Sequence, residues 1–121
     1  MTAPIVHTTR LVAAYRRYLG SADAPRFAHD VDEHYTSATL TALLSRGEVE
    51  HRRAAALALG MLGDRHSVDF LGRALSDSDR GVRLVADDSF HSVIVRDAAP
   101  LHHQKLLRVI HLNDGGVYAA A

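Results

Sequence analysis

The chain has 121 residues, room for one small domain with a real core, and its 47% hydrophobic and 23% charged composition is that of a folded protein rather than a disordered one. Fourteen Lys+Arg balance fourteen Asp+Glu, which argues against a nucleic-acid partner, since such binding needs a surplus of cations. Cysteine is absent, excluding disulfides, thiol catalysis and thiolate metal sites. No apolar run approaches the length of a membrane span and Met1 to His7 lacks a signal pattern, so no membrane partner and a cytoplasmic location are expected.

In chain order, Arg10 to Leu19 sets Leu11, Val12, Tyr15, Tyr18 and Leu19 along an amphipathic helix closed by Gly20. Pro25 suits the first turn of a second helix, with Phe27, Ala28, Val31 and Tyr35 on one side. Ser37 can cap a short third helix whose Leu40, Leu43 and Leu44 share a face. After a turn at Arg46-Gly47, a fourth helix runs from Glu48 to Leu62 around Ala54, Ala55, Ala56 and Ala58, small residues that favour helix and permit close packing. Gly63-Asp64 ends it, and Val68, Leu71 and Leu75 form the stripe of a fifth. Asp77-Ser78-Asp79 supplies turn and N-cap chemistry before a sixth helix, whose Val82, Ala86, Phe90, Val93 and Ile94 point inward. Pro100 opens a seventh over Leu101 to Leu112, stopped by Asn113-Asp114-Gly115-Gly116. Val117 to Ala121 starts an eighth too short to nucleate alone, so the chain is expected to be the N-terminal part of a longer protein.

Shifting the chain by 31 residues superposes like on like. Leu40 falls on Leu71, Leu44 on Leu75, Ser45 on Ser76, Glu48 on Asp79, Arg52 on Arg83, Ala55 on Ala86, Leu59 on Phe90 and Leu62 on Val93. Large apolar, small apolar, carboxylate and Arg positions each recur, which marks a repeat of helix pairs. Glu48 and Asp79 stand where they cap a helix and favour its positive end. Arg52 and Arg83 follow four residues later and can pair with a carboxylate of their own turn or of the neighbouring repeat. Glu48, Arg52, Asp79 and Arg83 are therefore expected to form a structural ladder.

The segments from His51 to Asp64 and from Asp77 to Ala86 resemble the HEAT repeat family, especially its short bacterial form named after phycobilisome lyases. An acidic turn, then Val-Arg, then an Ala-rich helix running into Leu-Gly-Asp carry the likeness over residues 37–96; the flanks match by helix pattern alone. Phe90-His91 stands where the family usually has Leu-Gly, and His51 where Val is usual. The tail from Leu112 to Ala120 is similar to the opening of a tetratricopeptide repeat. The resemblance implies an all-α, right-handed superhelix of antiparallel helix pairs, an α-solenoid. Residues 1–36 would be capping helices, 37–65 and 66–97 two repeats, and 98–121 a C-terminal helix with a truncated continuation. It further implies a protein-interaction or scaffold module, with an unidentified protein as partner.

Nine histidines are the one compositional invitation to chemistry. His29 with Glu33, and Asp30 with His34, have the spacing of two ligands on one helix face, but no third and fourth ligand is placed, so solvated pairs are the expectation. His102 and His103 point about 100° apart on a helix and form no ligand pair. Neither a nucleophile elbow nor a phosphate-binding glycine loop is present. No catalytic residue, metal or cofactor is therefore expected. The alternative is a HEAT-like enzyme or metal-binding helical domain, bilin-lyase-like, built on the His and Asp residues. The expected partner-contact residues are exposed positions of the second helices: Arg53, Arg80, Asp87, Asp88 and His91. The stripe Leu101, Leu106, Leu107 and Ile110 is expected to mediate a homodimer through the C-terminal helix.

Overall fold

Six helices make up residues 9–98, the part of the chain that this computed structural model describes, and no strand occurs among them. They are α1 (Arg10–Ser21), α2 (Ala24–His34), α3 (Ser37–Arg46), α4 (Val49–Leu62), α5 (Arg65–Ala74) and α6 (Arg80–Ala98). Two-residue connections join all but α5 and α6, which makes successive helices antiparallel neighbours. The seventh helix, the eighth, the tetratricopeptide-like tail and the dimerising stripe expected from sequence all lie outside the described residues.

Side-chain caps set the starts. Thr9, Asp23, Thr36 and Asp64 each accept a hydrogen bond from a backbone N–H in the turn they open, at 3.2, 3.1, 3.1 and 2.9 Å. At α5 the bond is reciprocated, because Ser67 Oγ accepts from the Asp64 N–H at 3.3 Å. Thr36, not Ser37, opens α3. Gly20 does not close α1: the helix runs to Ser21 and ends on Ala22, which takes the left-handed conformation (φ 56°) and donates its N–H to Tyr18 O at 2.7 Å.

The core is centred on α4, which packs against every other helix. Ala54, Ala55, Ala56, Ala58, Leu59, Gly60 and Met61 are all buried there, so only small side chains fit most of its faces. Burying a Leu59-sized side chain contributes roughly 1.5–3 kcal/mol. A Cβ on Gly60 would lie 2.6 Å from Ser89 Cβ, so this glycine sets how near α6 can come. The pairs α3–α4 and α5–α6 stack side by side as a solenoid, α3 on α5 and α4 on α6. The pair α1–α2 closes the other side, both helices packing on α4.

The inward stripe of α6 differs from expectation. Val82, Ala86, Ser89, Ser92 and Val93 are the buried residues, Phe90 is only partly buried, and Ile94 is exposed. The cause lies in α4: Gly60 leaves space for a small polar residue at 89, which turns Phe90 and Ile94 off the axis of contact. Leu19, expected in the α1 stripe, is also exposed, whereas Leu11, Val12 and Tyr15 are buried.

Candidate interaction surface

Arginines tie the helices together across the stack. On α1, Arg16 forks onto Glu50 of α4 at 2.7 and 2.6 Å. On α4, Arg53 forks onto Asp79 at the head of α6, with both bonds at 2.8 Å. Its neighbour Arg52 holds Asp77 at 3.0 and 3.2 Å and also donates to Gly47 O at 2.8 Å. Asp79 accepts a further bond from the Val82 N–H at 2.9 Å. Arg53 and that amide together hold the Asp79 carboxyl down at about 2.

The ladder thus differs in detail from the expected one. Asp79 takes its expected place at a helix start, and Arg52 reaches the carboxylate of the next repeat. Among the described residues Arg83 binds no carboxylate and donates instead to the carbonyls of Asp77 and Ser78, at 2.8 and 3.2 Å. Its bond to Ser78 O is the counterpart, 31 residues on, of the bond from Arg52 to Gly47 O. Glu48 stands at the N-cap of α4, yet its side chain makes no cap hydrogen bond. Arg53, expected as an exposed contact, is a rung of the ladder, engaged by Asp79. The rungs Asp77, Arg16 and Glu50 escaped the sequence reading, because a shift within one chain does not say which side chains meet between helices.

The other expected contact residues converge on one surface. At about 100° per residue, Leu84, Asp88, His91 and Val95 fall within about 60° on α6, with Arg80 and Asp87 flanking them. All are exposed, Leu84 at 57% and Val95 at 49%. His91 Nδ1 lies 2.8 Å from its Asp87 carbonyl and 3.5 Å from the Asp87 carboxylate. Partial burial, and then the neighbouring Asp87, push the Asp88 carboxyl up, against the pull of His91.

The repeat gives this face its meaning. Thirty-one residues before Leu84, Asp87, Asp88 and His91 stand Arg53, Ala56, Leu57 and Gly60 of α4. Arg53 and Gly60 lie against α6, at Asp79 and Ser89 respectively. The face of α6 that would receive a next helix by the same stacking therefore carries two carboxylates and a histidine.

The α2 histidines form pairs with neighbours. His29 lies 3.1 Å from Glu33, while Asp30 is taken by Arg17 at 2.8 Å and His34 lies 3.3 Å from Arg10. Among the described residues, no three His, Asp or Glu side chains stand together as a metal site. An open groove of about 770 Å3 lies between α5 and α6, lined by Arg65, His66, Val68, Asp69, Phe70 and Ile94 among others. Among the described residues no helix is long and apolar enough to cross a membrane.

Antiparallel helix pairs stacked in register and joined by arginine rungs define a helical-repeat protein of the α-solenoid class. The family model for HEAT repeats matches residues 13–89, well over half of the chain, and the chain belongs to that family. The match takes in α1 and α2, which the sequence reading assigns to caps, and stops just before Phe90-His91, where the sequence leaves the family pattern. No curated protein and no solved structure matches the chain. Helical repeats of this kind commonly serve protein interaction.

Proposed function

We propose that this chain is a protein-interaction module whose contact surface is the outer face of α6. The observation that carries the reading is the exchange of Ala56, Leu57 and Gly60 on α4 for Asp87, Asp88 and His91 on α6, at the positions the repeat uses for stacking. A helix that merely continued the stack would keep small or apolar residues there. Leu84 and Val95, exposed apolar residues on the same stripe, support a contact role, since a docked partner would remove them from water.

Capture of partners from cells that make the protein tests this reading. With the full chain as bait, the Asp87→Lys/Asp88→Lys variant should lose the specifically captured proteins. Glu33→Lys, on the exposed side of α2, should keep them. Equal loss or equal retention in the two variants contradicts the assignment to α6.

A further inference from the structure

After α6 the step of the repeat changes. Val49 and Arg80, which open α4 and α6, stand 31 residues apart, whereas Leu62 and Ala98, on which the two helices end, stand 36 apart. The difference is the greater length of α6, 19 residues against 14. Pro100 disfavours helix at the residue before it and suits the first turn of another. A connection as short as Gly63-Asp64 therefore leads to the helix expected over Leu101 to Leu112. At a shift of 36 that helix aligns with α5. Leu107 then falls on Leu71 and Ile110 on Ala74, both buried in α5, while Leu106 falls on Phe70 and Lys105 on Asp69.

We infer that residues 101–112 fold, parallel to α5, onto the groove between α5 and α6 of their own chain, rather than into a homodimer. The inference goes beyond the reading of α6 as the contact surface and does not depend on it. The fold sets the place. α5 follows α4 across two residues and packs on α3 and α4, and the same step taken from Ala98 leads onto α5 and α6. The open groove of about 770 Å3 lies there, and Val68, Phe70 and the 41% exposed Ile94 are its apolar lining. The stripe of Leu106, Leu107 and Ile110 would remove that lining from water. Charge agrees. Residues 99–113 contain Lys105 and Arg108 but no Asp or Glu. In the groove Arg65 is held by Asp97 at 3.1 Å, whereas Asp69 is exposed and, among the described residues, has no ion-pair partner. Lys105, on its flexible stem, comes level with that carboxylate. A two-residue tether holds the segment near the groove at an effective concentration of about millimolar or above, which gives it the advantage over a second copy or another protein. Ile94 stands about 80° from Leu84 and about 120° from Asp88 around α6, so docking leaves those two open to a partner.

Hydrogen exchange of the full chain, read by mass spectrometry on peptides covering residues 101–112, tests the docking. These amides should be protected at about 10 micromolar, and Ile94→Asp, which puts a carboxylate in the groove, should cut the protection at least about tenfold. Asp88→Lys, on the outer stripe, should leave it unchanged. The amides of α4 report whether each variant keeps the six helices. Exchange of residues 101–112 as in an unfolded chain, protection indifferent to Ile94→Asp, or protection lost in Asp88→Lys instead overturns the inference. Protection present at about 300 micromolar and lost at about 10 sets the stripe against a second copy and overturns it equally. If Ile94→Asp loosens α4 as well, carbodiimide coupling of the wild type reads the same contact. Lys105, the only lysine of the chain, should join Asp69 or Asp97 in a product of single-chain mass. Coupling to Asp87 or Asp88, coupling only between two chains, or none contradicts the docking. No such result bears on the capture test with Asp87→Lys/Asp88→Lys, so the two readings fail separately.

Discussion

Arg53 grips Asp79 with two bonds of 2.8 Å, and the same carboxylate receives the Val82 N–H. One side chain thereby closes the head of α6 and binds it to α4. The stack needs such a fastening, because the apolar contact between the two helices is mostly small side chains and would tolerate sliding. A forked, directional pair does not.

Replacing Arg53 by Ala should lower the urea midpoint more than replacing Arg16, whose pair with Glu50 is the more exposed of the two. The difference between wild type and Arg53→Ala should also depend on pH. A depressed folded-state value means that the stability is complete above the ordinary aspartate range and fades as pH falls from about 4 towards about 2. Urea titrations of both proteins across that window check this. A gap that widens on acidification would show that the Arg53–Asp79 pair does not hold the register.

Gly60 makes a second, steric claim. A Cβ added at Gly60 would meet Ser89 so closely that Gly60→Ala should cost about 1–3 kcal/mol, despite the better helix propensity of alanine. Adding Ser89→Gly should return part of that loss by clearing the facing side chain. Denaturant titration of the single and double variants decides it; a stabilising Gly60→Ala would mean that α4 and α6 lie further apart than described.

The repeat itself was legible in residues. Leu40 and Leu71, and Ala55 and Ala86, are buried where the shift of 31 puts them, and Val82 is buried after the acidic turn. Pairings between helices were not. That Arg52 binds Asp77 while Arg53 binds Asp79 depends on the stagger of α4 against α6, which no spacing within one helix encodes. The burial of Ser89 was hidden for the same reason: a serine reads as surface until the glycine opposite it is known. Asp87, Asp88 and His91 could be singled out because they break the repeat, but that they share a face with Leu84 and Val95 needed the extent of α6.

Ala22 provides a local check on the N-terminal pair. It is a left-handed residue with a Cβ, a conformation that costs roughly 1–2 kcal/mol for L-amino acids. Ala22→Gly should therefore stabilise the protein, by up to about 1 kcal/mol, and Ala22→Val should destabilise it. Melting temperatures of the two variants should lie on opposite sides of the wild type; the same sign for both would place the end of α1 elsewhere.

The outer face of α6 as the contact surface is tested most directly by photo-crosslinking in cells that make the protein, with a photoreactive residue at position 91 or, in a second experiment, at position 33 of α2. Adducts with another protein should form from position 91, while position 33 stays unlinked. Adducts from position 33 with none from position 91 would contradict the account.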